Sequence, residues 1–565
     1  MPTNSWLLDP VSVVDLVTKC FTGLTDTLGP TRRLSSLTAT AAVIVVVAAG
    51  SGTAHPTTGP SAPVFRVDNG GAPFAGDRRL LTTITPNGDG LRDSAFIHVR
   101  LSAPARLRLE IAVVRSQRPV IVADWSLRAR AGETTLRWSP PKEIEPRTYL
   151  VLCTVHGADG SGHRYGKYRA YQHVDLGAPV IRVQGIDGAF TRESYGASQI
   201  AWLRIAADSP SLTLQIYREG PERKKNDSNK ELYGVPVNEP VTLPWRARRN
   251  SPRTIRVWIG DWDTGFYYAK VTGSDGRTGY APFIVRPHQL GENRTAVFLP
   301  TNTWQAYNHE DENGDGWGDT WYAGWVKRSV RLNRHYVGWG IPPRFRAYDL
   351  GFLQWLARGE RAVDYLSDTD LGRVRSAREL AAAYDLIVFP GHHEYVTQRE
   401  FNLIRGYRDR GGNLIFLSAN NFYWHLDRRG ETIRRTARFR YLHKPEAEVI
   451  GTAYVANDGG GHGKPWIVRD PAATPWLFGG TGLERGSTFG LAGIEVDERS
   501  PASPPGTIIV ASIPHAIGQH RADMTYYELN GAKVFAAGAF TLAGEATWGS
   551  ITPLLNNLWN HMIVP

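Results

Sequence analysis

The sequence predicts a multidomain protein in which all-β modules precede an α/β domain built on a parallel sheet. The chain of 565 residues is too long for one ordinary domain. Between residues 80 and 287, apolar and polar residues alternate with the period of two that is typical of strands. Residues 384–424 instead combine two short apolar runs with a helical pattern between them, which is the layout of a βαβ unit.

Composition and charge restrict the class of protein further. An apolar content of 42% supports large cores and excludes a wholly disordered chain. The formal net charge of +11 favours acidic surroundings such as an anionic cell-wall polymer. The basic residues are nevertheless scattered and accompany no nucleic-acid-binding motif, so we expect no nucleic-acid partner. Cys20 and Cys153 are the only cysteines, which allows neither a disulfide framework nor a Cys-based zinc site.

Residues 1–54 have the layout of an export signal. Arg32 and Arg33 precede an uncharged apolar stretch, 37–49, and residues 52–54 offer a cleavage site of small residues. The paired arginines resemble those of a twin-arginine signal. Because the stretch is short for the ~20 residues that span a bilayer, we expect a cleaved signal, with a retained membrane anchor as the alternative. Either way, the sequence predicts an exported protein, secreted or held at the cell surface.

Two β modules are expected after this signal. Residues 55–78 are rich in Pro, Gly, Thr and Ser and predict a linker. The region 79–176 contains strand patterns and a turn at 86–90 whose glycines permit a positive φ. It resembles the immunoglobulin-like domains that carry a TPNGDG motif in exported bacterial proteins. The region 177–288 contains further strand patterns separated by short polar turns, which predicts a second β-sandwich.

The βαβ unit carries the strongest functional signal. Its apolar run 386–389 has the length of a buried parallel strand, a helical pattern occupies 398–409, and a second strand is predicted at 414–417. Residues 392–394, His-His-Glu, follow the first strand, and Asn420 follows the second. Open α/β sheets bind ligands at the carboxyl ends of their strands, so these side chains predict a site.

The α/β domain is expected to span residues 289–565. It opens with an apolar segment, 295–308, that we interpret as a strand ending near Tyr307. A run rich in Asp, Asn and Gly follows, at a spacing close to that of an EF-hand loop but without the distal Glu. Either a structural Ca²⁺ site or a glycine-rich loop folded over the strand end would account for it. The Ca²⁺ ligands would be Asp311, Asn313, Asp315 and Asp319.

Eight segments of this region match one known family in the family's own order, at residues 302–307, 352–356, 363–365, 368–371, 391–395, 420–424, 526–528 and 531–538. On these segments, the chain from about residue 288 to 565 resembles the carboxyl-terminal domain of the large (beta) subunit of N,N-dimethylformamidase. The similarity implies a doubly wound α/β fold like that of class I glutamine amidotransferases, with the site at the strand ends. No cysteine stands where a thiol nucleophile would be, because this chain has His393 there, so a thiol mechanism is excluded.

The resemblance also implies a mononuclear iron amidohydrolase in which two tyrosinates and one glutamate hold Fe³⁺. Phenolate and carboxylate oxygens are hard donors that suit a trivalent ion. The family usually has His-Pro-Glu where this chain has His-His-Glu, which adds an imidazole beside the metal. The expected ligands are Tyr307, Tyr336 and Glu394, with Tyr348, Tyr395 and His393 in reserve.

Three further side chains are expected to act on the substrate. His392 or Glu528 would accept a proton from water and return it to the departing amine. Asn420 would donate a hydrogen bond to the developing oxyanion. The predicted activity is the hydrolysis of a linear amide C–N bond in a substrate of unknown size.

Two alternatives stay open. The chain could be a non-catalytic surface protein that binds cell-wall polymer or carbohydrate, for which its 18 Trp would suit stacking on sugars. Alternatively, the β modules could position the enzyme on a larger amide, so we do not expect dimethylformamide itself as the substrate. Since the family uses a small partner subunit, such a subunit or a homo-oligomer is also expected.

Overall fold

The computed structural model describes residues 65–563 except 116–118, 159, 167–177, 225, 227, 323–328 and 460–462. The predicted export signal, 1–54, and residues 55–64 of the predicted linker lie outside the described residues. Within them, strands dominate, helices are few, and the strands form several separate sheets, as expected of a multidomain chain. Among the described helices, none combines the length and hydropathy that a membrane span requires.

The first β region, residues 65–183, contains two sheets that share one core. One sheet has the strand order β1-β3-β6, and the other has β2-β9-β7-β4-β5 with β8 beside β7. Ile97, Leu109 and Val151 meet between them. The predicted linker therefore ends earlier than expected, since β1 pairs with β3. The strands are β1 (Phe65–Asp68), β2 (Leu81–Ile84), β3 (Ala95–Leu101), β4 (Ala105–Val114), β5 (Pro119–Ala129), β6 (Gly132–Trp138), β7 (Thr148–His156), β8 (Gly162–Tyr165) and β9 (Val180–Val183).

The second β region, residues 186–286, repeats this arrangement. Its sheets have the orders β10-β12-β16 and β11-β18-β17-β13-β14, with β15 beside β13. Leu203, Leu214 and Phe283 lie in their shared core. A 3₁₀ helix spans Arg246–Arg248. The strands are β10 (Ile186–Phe190), β11 (Ser194–Gly196), β12 (Ile200–Ala207), β13 (Ser211–Arg218), β14 (Val235–Pro236), β15 (Val241–Pro244), β16 (Arg253–Trp258), β17 (Gly265–Gly273) and β18 (Thr278–Arg286).

The carboxyl-terminal region, residues 295–562, is built on an 11-stranded sheet. Its strands β21-β19-β22-β24-β32 are mutually parallel neighbours, and β31, β30, β28, β29 and β27 continue it in antiparallel pairs. A smaller sheet has the order β20-β26-β25-β23. The strands are β19 (Thr295–Leu299), β20 (Ser329–Arg331), β21 (Asp364–Ser367), β22 (Leu386–Phe389), β23 (Tyr395–Thr397), β24 (Asn413–Phe416), β25 (Trp424–Arg429), β26 (Thr432–Arg438), β27 (Ala453–Asn457), β28 (Lys464–Val468), β29 (Thr488–Glu498), β30 (Ile508–Ile517), β31 (His520–Leu529), β32 (Ala532–Ala536) and β33 (Ala539–Phe540).

Helices cover both faces of the parallel strands. Val388 on β22 faces a core that includes α2 and α8, whereas Ile387 and Phe389 face a core that includes α4 and α5. Burial on both faces explains why this strand is apolar at every position. The α-helices are α1 (Thr301–Tyr307), α2 (Gly351–Arg358), α3 (Asp368–Arg373), α4 (Ala377–Ala383), α5 (Gln398–Arg408), α6 (Ala447–Ile450), α7 (Pro475–Phe478) and α8 (Thr552–Met562), with a π-helix at Arg346–Leu350 and a 3₁₀ helix at Phe439–Leu442.

The βαβ unit is confirmed as β22, α5 and β24. Thr397 and Glu400 form a capping box that starts α5, because each side chain accepts a hydrogen bond from the other residue's backbone N–H. The strand predicted over 295–308 is wrong beyond Leu299. Pro300 ends β19 and precedes α1, so Tyr307 lies in the last turn of a helix rather than at a strand end.

Candidate active site

The carboxyl ends of three neighbouring parallel strands bring the predicted site residues to one edge of the large sheet. β19 leads into α1, which ends at Tyr307, while β22 and β24 lead into residues 392–394 and Asn420. Phe389 lies opposite Phe416 in the strand register, so β22 and β24 end at the same level. Residues that are far apart in the sequence therefore meet beyond the strand ends.

Two phenols and one carboxylate form the centre of this site. The Tyr307 hydroxyl donates a hydrogen bond to the Glu394 carboxylate. The Tyr395 side chain lies beside both: its ring centroid is 5.6 Å from that of Tyr307, and its hydroxyl interacts with the Glu394 carboxylate. Glu394 and Tyr395 are buried, and Tyr307 is partly buried. Three oxygen-bearing side chains from α1 and the segment after β22 thus converge on one point.

His392 lies between two carboxylates. Its Nε2 atom is 3.7 Å from a Glu394 oxygen and 3.7 Å from a Glu495 oxygen. This nitrogen is buried and has no hydrogen-bond partner among the described residues. Burial and the neighbouring His393 lower the pKa of His392 to about 3, so the imidazole is neutral at pH 7.

Asn420 connects the end of β24 to β29. Its side-chain nitrogen donates a 2.7 Å hydrogen bond to Glu495, and its backbone N–H donates a 2.8 Å hydrogen bond to Asp497. Its φ of 53° lies in the left-handed region, which Asn tolerates better than most residues. The Asn420 side chain therefore holds Glu495 in place. Glu495 was not predicted, because nothing in its local strand pattern distinguishes it.

A cavity of about 300 Å³ leads to this cluster. The carboxyl-terminal region contributes most of its wall, but Arg115, Glu145 and Arg147 of the first β region contribute as well. Its other lining residues include Tyr307, Tyr322, Arg344, Tyr348, His392, Glu495 and Phe540. The first β region is therefore part of the site's entrance.

Burial sets the charge state of the central acids. It raises the pKa of Glu394 to about 7, although hydrogen bonds from Tyr307, Tyr395 and Asn420 oppose this effect. Burial and the nearby Glu394 raise the pKa of Tyr307 well above its ordinary value. A cation among these oxygens would reverse both shifts, because it favours the ionised forms. Among the described residues, His, Cys, Asp and Glu alone form no group of three suited to a metal, so a ligand set here would need the phenols.

Tyr336 does not lie with Tyr307 and Glu394. Its hydroxyl bonds to Gln305, and it lines a separate cavity of about 30 Å³ beside Trp304. Gln305 and Tyr307 are two positions apart in α1, which is about 200° around the helix axis, so their partners lie on different sides. Of the reserve tyrosines, Tyr395 occupies the centre.

The other two reserve ligands, Tyr348 and His393, lie in different places. Tyr348, in the π-helix, lines the active-site cavity, and its ring centroid is 4.9 Å from that of Phe540. His393 is buried away from the central acids, with Nδ1 3.2 Å from the Gly391 carbonyl oxygen and Nε2 4.0 Å from Asp368. The structure therefore brings Tyr348, but not His393, to the cavity.

Glu528 lies at the wrong end of the sheet for catalysis beside His392. It pairs with Lys533 across β31 and β32, and the Lys533 N–H bonds to Asn413 at the start of β24. The amino ends of the parallel strands are there, whereas the site is at their carboxyl ends. Glu528 is exposed and accepts a 2.5 Å hydrogen bond from the Tyr526 hydroxyl. The predicted proton-transfer role of Glu528 is thus corrected.

In the acidic loop after α1, the side chains accept hydrogen bonds from the loop's own backbone N–H groups. Asp311 accepts hydrogen bonds from the N–H groups of Asp315 and Gly316, at 3.1 and 2.7 Å. Asn313 accepts one from the Asp315 N–H, and Asp319 accepts one from the Glu312 N–H. In the loop, Trp317 packs into a core of the first β region. The loop thus joins the two regions, and the calcium site stays a prediction.

Comparisons with known proteins agree with the resemblance. A family model described as N,N-dimethylformamidase beta subunit-like, C-terminal, matches residues 245–548. The N,N-dimethylformamidase beta subunits of Alcaligenes sp and Paracoccus aminophilus are each 24% identical over 309 residues, which cover 43% and 42% of this chain. The same match covers 40% and 39% of those relatives, so the chain spans about two fifths of their length.

Among solved structures, the beta-galactosidase from Bacillus circulans sp. alkalophilus is 13% identical, with a TM-score of 0.27 over 48% of this chain and 31% of that chain. This likeness is too weak to support an argument about fold. The family match, in contrast, covers more than half of the chain and includes Tyr307, Glu394 and Asn420. The chain therefore belongs to the N,N-dimethylformamidase beta subunit-like, C-terminal family.

Proposed function

We propose that this protein is an iron-dependent amidohydrolase that cleaves a linear amide C–N bond beside Glu394. The observation that carries the proposal is the convergence of the Tyr307 and Tyr395 hydroxyls on the Glu394 carboxylate. Buried acids with raised pKa values that adjoin a cavity are typical of functional sites. The names of the two curated relatives support an amide C–N bond as the target.

The donor set fits a ferric ion. Tyr307, Tyr395 and Glu394 would hold it, since phenolate and carboxylate oxygens are hard ligands. Tyr348 is the alternative phenol, because it lines the same cavity. Buried phenols with raised pKa values ionise only beside a strong positive charge, which the ion would supply. When bound, it would also act as a Lewis acid on the amide carbonyl.

His392 is the residue that we assign to proton transfer, in place of Glu528. Its neutral imidazole can accept a proton from the attacking water and return it to the amine that leaves. Burial disfavours the imidazolium, but the carboxylates of Glu394 and Glu495, each 3.7 Å from Nε2, would stabilise it. Asn420 acts as a positioning residue, because its amide holds Glu495.

Metal analysis and a visible spectrum test this proposal directly. The purified protein is expected to hold about one iron per chain and to show a tyrosinate-to-iron charge-transfer band. Tyr307→Phe should lose that band, whereas Tyr336→Phe, the matched control in the separate cavity, should keep it. A folded, colourless wild type that takes up no iron would rule the proposal out.

Several broader features belong to the same proposal. The two-sheet packing of each β region supports immunoglobulin-like sandwiches, and parallel strands with helices on both faces support a doubly wound, glutamine amidotransferase-like domain. The relatives are named beta subunits, which supports a partner subunit or an oligomer. We also propose that the protein is exported by means of the signal at residues 1–54.

An exposed aromatic surface favours a second candidate function, binding to a cell-wall glycan. Trp202 on β12 is 46% exposed and Trp258 on β16 is 62% exposed. β12 and β16 are paired, and the Arg256 guanidinium lies 5.8 Å from the centroid of the Trp202 ring. Flat indoles beside a cation suit sugar stacking with anionic groups. Retention on purified cell wall should fall in the double variant Trp202→Ala/Trp258→Ala but persist in Glu394→Gln. Equal retention of the wild type and both variants would exclude this function.

A further inference from the structure

Arg344 places its positively charged guanidinium on the wall of the active-site cavity, and its backbone conformation is strained. Its φ is 61°, in the left-handed region that residues other than Gly seldom adopt. The side chain is exposed and lines the same cavity as Tyr307, His392 and Glu495. Strain of this kind persists where the surrounding structure enforces it, and it concentrates at ligand sites.

The strained residue is coupled to an unusual helix. The Arg344 carbonyl accepts hydrogen bonds from the N–H groups of Ala347 and Tyr348, at 2.8 and 3.0 Å. The π-helix Arg346–Leu350 begins immediately afterwards, and such turns occur frequently at functional sites. Burial raises the pKa values of Tyr322 and Tyr348, and the positive charge of Arg344 opposes part of this rise. All three residues line the same cavity. Arg344 and Tyr348 thus form one side of the cavity.

Arg344 differs from the other arginines that line this cavity. Arg115 and Arg147 form ion pairs with Glu145, at 3.0 and 3.4 Å. Arg344, in contrast, has no carboxylate within 4.0 Å of its guanidinium in the part of the chain that the structure describes. A cation that faces a cavity without a protein partner is available to an anionic ligand. Its planar guanidinium can bind a carboxylate through two parallel hydrogen bonds.

The cavity wall carries groups of both charges. Glu495 and His392 line it, with Glu394 and Glu495 each 3.7 Å from His392 Nε2, and the Arg344 side chain lines it as well. A volume of about 300 Å³ is at the small end of pockets that hold small-molecule ligands. The cavity would orient a substrate that places an amide beside His392 and a negative group beside Arg344.

We infer that Arg344 binds a carboxylate of the substrate, so that the natural substrates are small amides that carry an anionic group rather than neutral formamides. This inference rests on the proposed function, because it concerns the same site. N-acylated amino acids have the required chemistry: an amide bond and, a few bonds away, a free carboxylate. Arg344 is a specificity-determining residue in this reaction, and the bond-breaking groups are those around Glu394.

Calorimetric binding of two matched probes to the full chain tests the inference without turnover. N-acetylglycine carries the carboxylate, and N-acetylglycinamide is its neutral counterpart. Arg344→Gln is expected to weaken binding of N-acetylglycine by about tenfold to a hundredfold, as expected for the loss of charge-assisted hydrogen bonds, and to leave N-acetylglycinamide unaffected. Arg346→Gln is the matched control, since Arg346 bonds to Asn229 and lies outside the cavity lining.

A second variant separates the lost charge from a folding defect. Arg344→Gly also removes the guanidinium, but it relieves the left-handed strain, so its Tm should equal or exceed that of the wild type. It should lose N-acetylglycine binding as Arg344→Gln does. If either variant binds N-acetylglycine as the wild type does, or if the wild type does not prefer the anionic probe, the inference is overturned.

The same set of proteins distinguishes this inference from the proposed function. Glu394→Gln should abolish hydrolysis and iron uptake while the preference for N-acetylglycine over N-acetylglycinamide persists. Charge selectivity in a protein that hydrolyses no amide would support the role of Arg344 and refute the proposed function. Hydrolysis without charge selectivity would support the proposed function and refute the role of Arg344.

Discussion

Gly391→Ala is expected to distort the site while leaving the β regions folded. Gly391 lies between the end of β22 and His392. A Cβ atom at this position would collide with the Asp349 carboxylate and would lie 3.0 Å from Cγ of Pro300. Asp349 is fully buried, so it has no room to move aside. The segment that carries His392 and Glu394 must then shift.

The size of the effect follows from the kind of contact. Overpacking a buried site by one methyl group costs about 1–3 kcal/mol. Gly391→Ala should lower the free energy of unfolding by about this amount, and it should also lower iron content, since Glu394 is three residues away. Gly549→Ala is the matched control, because a Cβ there meets nothing within 4 Å, and its cost should stay within about 0.5 kcal/mol.

A double-mutant cycle with Asp349→Ala checks the cause. Removing the carboxyl group removes the main collision, so the double variant should recover about 1 kcal/mol or more of the loss, measured by urea unfolding. If the changes in the free energy of unfolding of the two single variants simply add in the double variant, the collision with Asp349 is not the cause of the loss. Unfolding should be followed through a probe in the carboxyl-terminal region, since the β regions have separate cores and can unfold separately.

Three other predictions concern separate residues. Tyr395→Phe should reduce bound iron about tenfold or more by metal analysis, whereas an unchanged iron content would favour Tyr348 as the second phenol. His392→Gln should lower kcat by about 10²–10⁴-fold with iron retained, while Glu528→Gln, at the far end of the sheet, should stay within about twofold; comparable losses would contradict our assignment. Burial raises the pKa of Glu545 from 4.5 to about 7. The folded protein therefore keeps a proton on Glu545 at a pH where the unfolded chain has lost it. Between pH 5 and pH 8, the free energy of unfolding of the wild type should fall by about 2–3 kcal/mol relative to that of Glu545→Gln. Parallel pH profiles of urea unfolding for the two proteins would disprove this.

Local patterns were sufficient to predict the βαβ unit. The two apolar runs at β22 and β24 and the helical pattern between them each extend over a few residues. Such short-range preferences fix where an element begins and ends, and the carboxyl ends of parallel strands are then a general place for a site. Glu394, His392 and Asn420 were found in this way.

Other residues of the site depend on contacts that no local pattern contains. From the sequence we expected Tyr336 as the second phenol, with Tyr348 and Tyr395 in reserve. Only the packing around α1 places Tyr307 beside Glu394 and Tyr395 and carries Tyr336 to another cavity. Glu495 reaches His392 because β29 returns to this edge of the sheet.

By itself, the sequence determined the family and the strand ends that carry the candidate site, because both can be read from short segments of the chain. The tertiary structure decided which phenols meet the glutamate, that Glu528 points to the opposite edge through its antiparallel strand, and that Arg344 faces the cavity. These outcomes depend on strand direction and helix rotation, which are set by the packing of distant segments against one another.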